Sequence, residues 1–129
     1  MQKYKVRIYY EDTDCGGIVY HTNYIKYCER ARSEIFFSSN KTPNIKTIGF
    51  VVKSLNANFI SSAKLGDLLE IESKILRLGY SSVILKQNIF LKNKLIFECD
   101  VRLACIDIIN KKIVRIPDEI LNILKGEYK

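Results

Sequence analysis

The amino-acid sequence predicts an α+β protein in which an antiparallel β-sheet wraps around one long central helix. Two observations support this prediction. Apolar residues recur at helical spacing in one long segment before residue 40 and in a short one near the C terminus, and they alternate with polar residues through most of the remaining chain. Because one helix cannot cover both faces of such a sheet, we expect its edge or outer face to be buried in a homo-oligomer. The length of 129 residues corresponds to one domain, residues 1–129.

The first part of the chain is predicted to hold a strand, a loop and the long helix. Lys5–Glu11 alternates in polarity and is expected to form the first strand. Residues 12–17 contain acids and two glycines, as loops do. The helix should start at Thr22 or Asn23, both good N-cap residues, and end at Ser38. Its apolar face is formed by Tyr24, Tyr27, Cys28, Ala31 and Ile35.

Four long strands and a short helix are predicted after residue 48. The period changes to two there, and turn residues that suit antiparallel hairpins separate the runs. The predicted strands are Phe50–Ser61, Leu68–Leu78, Ser82–Leu91 and Leu95–Ile109. A terminal helix should open at Pro117, since an early proline followed by two acids is typical of a first turn.

The composition argues against membrane-spanning, secreted and zinc-binding proteins. No stretch approaches the roughly 20 apolar residues of a membrane span, and no apolar signal segment opens the chain. Cys15, Cys28, Cys99 and Cys105 lack C-x-x-C spacing, so reduced thiols and a cytoplasmic location are expected. His21 is the only histidine, which excludes a zinc site with several histidine ligands. Neither a metal nor an organic cofactor is predicted.

The net charge of +7 favours an anionic partner. Nucleic acid, a membrane surface and phosphorylated small molecules all satisfy this condition. The basic residues are spread along the chain and form no polybasic block, which argues against a basic tail. A nucleic-acid-binding protein is not expected, because the sequence lacks a recognition helix with a basic face and a stacking-aromatic motif.

Residues 10–24 depart from the regular patterning. They contain Glu11, Asp12 and Asp14, followed by two glycines and His21, immediately before the predicted helix. A helix N-terminus presents free N–H groups and a partial positive charge, and it can stabilise negative charge that develops on a carbonyl oxygen. A carboxylate in the preceding loop can reach the same point. An ordinary turn is the alternative, since Asp and Gly are common turn residues.

The stretch Y-x-D-T-D-x-x-G-x-V-Y-H-x-x-Y, from Tyr10 to Tyr24, resembles the signature of the hot-dog-fold acyl-CoA thioesterases. It is most similar to that of the 4-hydroxybenzoyl-CoA thioesterase family and its YbgC-type branch, which is associated with the Tol–Pal cell-envelope system. Residues 27–32, 48–52 and 63–69 also fit this family, so the resemblance covers nearly the whole chain. It implies a hot-dog domain that hydrolyses acyl-CoA thioesters.

The resemblance also implies catalytic roles. Asp14 matches the catalytic carboxylate, which acts as a nucleophile or as a general base toward water. His21 matches the helix-start position whose backbone N–H polarises the carbonyl, while its side chain either packs or orients the substrate. Tyr10 matches a tyrosine that positions the carboxylate, although a strand tyrosine is also a common core residue. Asp12 is expected to order the loop.

Further residues are expected to bind the substrate. Gly49 aligns with a glycine that adds a second donor to the carbonyl, and Tyr24 is expected to pack around the acyl pocket or the interface. Arg77, Ser81 and Ser82 lie where related enzymes contact the nucleotide end of CoA. For these three residues, solvated turn positions are the alternative.

Two other functional hypotheses stay open. Some hot-dog thioesterases use a glutamate on the central helix, for which Glu29 and Glu34 are the candidates here. A non-hydrolytic protein that binds acyl-CoA or acyl carrier protein is the second alternative. Within the main hypothesis, the acyl group is short-chain, long-chain or aromatic, the carrier is CoA or acyl carrier protein, and the assembly is a dimer of dimers.

Overall fold

The computed structural model describes residues 2–127 and contains one antiparallel sheet and two α-helices. Along the sheet the strand order is β1-β3-β4-β5-β2, with β6 paired to the end of β5. Every pairing is antiparallel. The elements are β1 (Gln2–Arg7), α1 (His21–Phe37), β2 (Ile48–Phe59), β3 (Leu68–Leu78), β4 (Ser82–Leu91), β5 (Lys94–Asp107), β6 (Lys112–Ile113) and α2 (Asp118–Glu127). The predicted α+β class is confirmed.

Helix α1 packs on the sheet through the face that its sequence predicts. The five apolar residues named for that face are all buried, and Phe36 joins them. In the first half of α1 they pack with sheet residues such as Ile71, Ile89 and Phe97. In the second half, Ile35 packs in a cluster that also contains Leu124 of α2. Both helices therefore cover the same face of the sheet.

The first strand lies earlier in the chain than predicted, since it starts at Gln2 instead of Lys5. β1 ends at Arg7, and Tyr10–Asp12 form a turn of 3₁₀ helix instead of continuing the strand to Glu11. The turn is closed by the Asp12 carboxylate, which accepts a hydrogen bond from the Tyr9 N–H at 2.8 Å. As a result Tyr10 does not face the core, and 82% of its surface is exposed.

The start of α1 also differs from the prediction. The helix begins at His21, and the N-cap position is Tyr20, whose side chain makes no capping hydrogen bond. Asn23 does not cap the helix; its side chain instead donates to the backbone oxygen of Asp12 at 2.9 Å. The same oxygen accepts the N–H of Tyr20 at 3.0 Å. The loop, and not a polar cap side chain, therefore sets the first residue of the helix.

The strands after α1 are close to the prediction. β3 and β4 have the predicted bounds, whereas β2 and β5 are displaced by one or two residues. β5 ends at Asp107 because the Asp107 carboxylate accepts hydrogen bonds from the N–H groups of Ile109 and Asn110, which turns the chain. The two-residue strand β6 was not predicted.

Strand β2 forms one edge of the sheet. Within residues 2–127, β5 is the only strand paired with β2, and a bridge between Ile45 and Ile48 is the one contact on its other side, so the edge offers unpaired backbone groups after Ile48. Val51 and Val52 on this strand are exposed. In the same part of the chain, no helix has both the length and the apolar composition needed to cross a membrane.

Candidate active site

The loop between β1 and α1 is held in place by its own backbone. The N–H of Asp14 donates to the Ile18 oxygen at 2.9 Å, and the N–H of Gly17 donates to the Asp14 oxygen at 3.1 Å. Gly17 has a φ of +84°, which a residue with a side chain adopts only with strain. The loop then pairs with the chain before β3, where the N–H of Val19 donates to the Ala63 oxygen at 2.9 Å. These bonds fix the position of Asp14 relative to the helix.

The Asp14 carboxylate is half-buried and only partly paired. Its Oδ1 accepts a hydrogen bond from the N–H of Gly16 at 2.8 Å. Its Oδ2 has no hydrogen-bond partner among the described residues. A side chain at residue 16 would crowd this contact, since a Cβ there would lie 3.2 Å from Oδ1. One oxygen is thus anchored while the other is free to react.

Asp14 and the start of α1 border one cavity of about 260 Å³. The helix begins at His21, and the N–H groups of its first turn have no acceptor within the helix. The carboxylate and these donors therefore border the same space. The cavity is lined by Asp14, Ile18, Val19, His21, Tyr24, Phe59, Ile60, Ser61 and Ser62.

Aromatic rings form one wall of this Asp14 cavity. Tyr24 stacks on Phe97 with ring centroids 5.5 Å apart, and Phe59 meets Phe97 edge-on at 5.1 Å. The Tyr24 hydroxyl accepts a hydrogen bond from the N–H of Ala63 at 3.0 Å, and burial raises the pKa of Tyr24. The His21 ring meets the Phe59 ring edge-on at 6.0 Å. An apolar group entering the cavity would contact these rings.

A second cavity, of about 350 Å³, lies beside the middle of α1. It contains Gly49 and Glu29, so within one chain Gly49 does not line the Asp14 cavity. The Glu29 carboxylate accepts a hydrogen bond from the Ser33 hydroxyl at 3.2 Å. The lining residues are Glu29, Arg32, Ser33, Phe36, Pro43, Asn44, Gly49, Phe50, Val52, Leu103 and Ile108.

Comparison with known proteins identifies the family. The model of the thioesterase superfamily matches residues 16–96. The chain belongs to the thioesterase superfamily. The matched segment starts two residues after Asp14, and the expectation of one domain across residues 1–129 stays a prediction.

Two curated relatives and one solved structure illustrate the similarity. The acyl-CoA thioesterase YbgC of Helicobacter pylori is 50% identical over a match that spans 67% of this chain and 65% of that protein's length. The acyl-CoA thioesterase YbgC of Haemophilus influenzae is 35% identical over 91% of this chain and 89% of that protein. The 1,4-dihydroxy-2-naphthoyl-CoA thioesterase of Synechocystis superposes with a TM-score of 0.89 at 18% identity, covering 96% of this chain and 95% of that one. The predicted hot-dog fold is confirmed.

The remaining predicted site residues of this thioesterase-superfamily chain lie outside the Asp14 cavity. Tyr10 is exposed in the 3₁₀ turn, and its backbone oxygen accepts the Thr13 hydroxyl. Arg77, Ser81 and Ser82 lie at the β3–β4 hairpin. Arg77 is nine residues along β3 from Leu68, which is about 30 Å of strand. None of these four residues lines the Asp14 cavity within one chain, and their roles stay predictions.

The sequence reasoning missed two residues that shape the cavities. Phe59 was predicted only as part of the strand Phe50–Ser61, and the structure exposes half of its surface at the Asp14 cavity. Gln87 is fully buried at a core position of β4, where it donates to the Cys28 backbone oxygen at 2.8 Å and accepts from the Arg32 guanidinium at 3.0 Å. The sequence signal for this network was a glutamine at position 87, on the same face of β4 as the apolar residues Leu85 and Ile89.

Arg32, which lines the second cavity, has a guanidinium with little access to solvent. Loss of solvent lowers the pKa of its guanidinium, and the nearby thiols of Cys28 and Cys99 partly oppose that shift. All four cysteines are free. Among residues 2–127, no three His, Cys, Asp or Glu side chains converge as they would around a metal ion.

Proposed function

We propose that this protein hydrolyses acyl-CoA thioesters, with Asp14 as its catalytic carboxylate. The observation that carries the proposal is the arrangement at the Asp14 cavity. One carboxylate oxygen is held by the Gly16 N–H, the other has no partner among the described residues, and His21, whose N–H has no acceptor within the helix, lines the same space. The names of the Helicobacter and Haemophilus relatives support acyl-CoA as the substrate class.

Thioester hydrolysis at this site needs a carboxylate and a hydrogen-bond donor, and Asp14 can act by either of two routes. In the first, Asp14 attacks the thioester carbon, the C–S bond breaks, and water then hydrolyses the acyl-aspartyl anhydride. In the second, Asp14 removes a proton from a water molecule that attacks the same carbon. In both routes negative charge develops on the carbonyl oxygen. We assign its stabilisation to the backbone N–H of His21, since donors aimed at such an oxygen contribute strongly to catalysis.

The His21 side chain has a smaller role in this proposal. The imidazole is exposed and packs against the rings of Tyr20 and Phe59. It orients the acyl group, while the backbone N–H beside it acts on the carbonyl. Tyr24 and Phe59 form the apolar wall for the acyl group. Short-chain, long-chain and aromatic acyl groups all stay candidates, as do CoA and acyl carrier protein as carriers.

We also propose a homo-oligomer, a dimer of dimers, in which β2 is a contact between copies. After the Ile45–Ile48 bridge its outer edge is unpaired within residues 2–127, and Val51 and Val52 of this strand are exposed. Antiparallel pairing of two β2 strands would place the Ile48 end of one copy beside the Phe59 end of the other. Gly49 of one copy would then approach the Asp14 cavity of its partner. This assembly gives Gly49 its predicted role as a second donor.

Two further assignments belong to the same proposal. Arg77, Ser81 and Ser82 are exposed or half-buried at one hairpin and offer a cation and hydroxyls to the phosphates of CoA. In a dimer of dimers a neighbouring copy supplies this hairpin to the site. We place the enzyme in the cytoplasm, which is supported by the four free cysteines.

The proposal is tested by thiol release from a panel of acyl-CoAs, followed with a thiol-reactive dye. Wild type is compared with Asp14→Asn, which keeps the size of the side chain and removes its charge. The matched control is Glu29→Gln, the same change at the carboxylate of the second cavity. We expect kcat to fall by about 10²- to 10⁴-fold in D14N and to change little in E29Q.

Each contrary result points to a specific alternative. Full activity in D14N with loss in E29Q would move the catalytic carboxylate to the second cavity. A wild type that binds an acyl-CoA and releases no thiol from any of them would instead support the non-hydrolytic binding protein. Repeating the assay with acyl carrier protein loaded with the preferred acyl group distinguishes the two carriers.

A further inference from the structure

Three isoleucines are exposed together where β5 turns into β6. Ile108, Ile109 and Ile113 have 54%, 71% and 59% of their surfaces exposed. Ile108 also lines the second cavity beside Gly49, whereas Ile109 and Ile113 line neither cavity. Grouped exposure of this kind marks a contact surface. We call these three residues the isoleucine tip.

The isoleucine tip is held in a fixed shape. The Asp107 carboxylate accepts the N–H of Ile109 at 3.0 Å and that of Asn110 at 3.2 Å. These bonds lower the pKa of Asp107, so the carboxylate stays charged and the turn stays closed at neutral pH. The N–H of Ile108 donates to the Thr47 oxygen at 2.8 Å, which joins the tip to the turn before β2. The isoleucines are therefore presented by a preformed surface.

Positive charge surrounds the isoleucine tip. Lys111 and Lys112 lie in the turn, and Lys46 lies in the adjoining turn beside Thr47. All three lysines are exposed, and none forms a salt bridge with another described residue. The nearest acid in the turn, Asp107, is already occupied by the hydrogen bonds that close it. The surface thus combines a convex apolar tip with unpaired cations.

We propose that the isoleucine tip docks this protein on an anionic phospholipid surface. Apolar side chains on a convex turn fit the acyl boundary of a bilayer, which deforms around them, while neighbouring lysines bind anionic headgroups. A second copy is a poorer partner, because a symmetric contact would place three lysines opposite three lysines. The net charge of +7 acts in the same direction at longer range.

The chain contains no tryptophan, so a single tryptophan can report insertion. Ile109→Trp is mixed with vesicles of phosphatidylcholine and phosphatidylglycerol in equal parts, and separately with phosphatidylcholine alone. Leu76→Trp, at an exposed leucine of β3, is the matched control. We expect the emission of I109W to shift to the blue and to be quenched by bromine-labelled lipid in the anionic vesicles alone. The emission of L76W should not change.

Vesicle sedimentation tests the native surface. We expect the double variant Ile109→Ser/Ile113→Ser and the double variant Lys111→Glu/Lys112→Glu each to bind anionic vesicles at least about tenfold more weakly than wild type. Lys74→Glu, at an exposed lysine on β3, should bind like wild type.

Three results would overturn the proposal. The first is the absence of wild-type binding to the anionic vesicles, and the second is equal binding by wild type and both double variants. The third is self-association that the isoleucine substitutions abolish in the absence of vesicle binding, which would assign the tip to a second copy. Unchanged circular dichroism in the variants excludes unfolding as the cause of any loss.

Discussion

The two cavities of this chain each contain a carboxylate, and they differ in what lies beside it. Asp14 precedes the first turn of α1, where backbone N–H groups have no acceptor within the helix. Glu29 lies in the middle of α1, where those groups are already used by the helix. The larger cavity, of about 350 Å³, belongs to Glu29, and the smaller one, of about 260 Å³, to Asp14. The proposal that Asp14 is the reactive carboxylate therefore rests on free donors and not on cavity volume.

The positive groups of the two cavities also differ in kind. In the second cavity the positive group is the Arg32 side chain, which is tied to buried Gln87 at 3.0 Å. In the Asp14 cavity it is the backbone at His21. A side chain can be removed by any substitution, whereas a backbone N–H can be removed only by proline. Substitutions at His21 can therefore separate the role of the backbone N–H from that of the side chain.

Of the two possible changes at His21, His21→Pro should cause the larger loss of activity. Proline removes the backbone N–H, and loss of one donor to a developing oxyanion costs about 10²- to 10³-fold in kcat. The helix should survive, because proline is favoured at the first helical position. Tyr20, the residue before it, has a φ of −65° and a ψ of 132°, which a following proline permits.

His21→Ala is the matched variant, since it removes the imidazole and keeps the N–H. Its kcat should fall by less than about tenfold. Thiol-release kinetics measure both variants, and circular dichroism verifies the fold. The opposite order, with H21A inactive and H21P active, would assign the catalytic role to the imidazole.

The glycine in the Asp14 loop and the glycine that lines the second cavity differ in backbone conformation. Gly17→Ala should lower the free energy of unfolding by about 1 to 2 kcal/mol, because its φ of +84° is strained for alanine. Nothing within 4 Å would clash with the new Cβ, so backbone strain is the sole expected cost. The same backbone strain would destabilise the loop that carries Asp14. Urea denaturation measures the change.

Gly49→Ala is the control for this prediction. Its added Cβ would meet Ile108 Cδ1 at 3.4 Å and Asn44 Cβ at 3.6 Å, which are ordinary contacts. The free energy of unfolding should change by less than about 0.5 kcal/mol. Equal losses in both variants would mean that the loop conformation at Gly17 does not contribute to stability as its φ angle implies.

Local patterning was enough to predict the sheet and the helix. Alternation placed β3 and β4 at their observed bounds, and helical spacing gave the buried face of α1. Such patterns show which side of a helix or strand packs on the core, and packing on the core is what stabilises these elements. The family signature located Asp14 and His21, which the structure places at one cavity.

Contacts between distant segments could not be predicted in this way. The start of α1 depends on the backbone oxygen of Asp12, which accepts from Tyr20 and Asn23, and no side-chain preference encodes that bond. The separation of Gly49 from Asp14 depends on how β2 pairs with β5. Gln87 interrupts an apolar face because three groups converge on it from α1 and β3.

The smallest expected effect concerns two tyrosines on adjacent turns of α1. Tyr24 borders the Asp14 cavity and its hydroxyl accepts the Ala63 N–H at 3.0 Å. The buried Tyr27 hydroxyl lies near the Asp12 carboxylate but makes no hydrogen bond of good geometry with any described residue. Tyr24→Phe should therefore lower the free energy of unfolding by about 1 kcal/mol. Tyr27→Phe should leave it unchanged or raise it by up to about 1 kcal/mol, because it removes an unsatisfied buried group.

The pH dependence of stability separates the Tyr27 effect from simple repacking. Burial, and then the neighbouring Asp12 carboxylate, raise the pKa of Tyr27 in the folded protein. The unfolded chain ionises first, at a pH of about 10, so the stability linked to Tyr27 is present below that pH and is lost as the pH rises above it. Urea titrations from neutral to alkaline pH should show a smaller loss in Y27F than in wild type. Parallel curves would mean that the Tyr27 hydroxyl reaches solvent in the folded state, and the contrast with Tyr24 would then disappear.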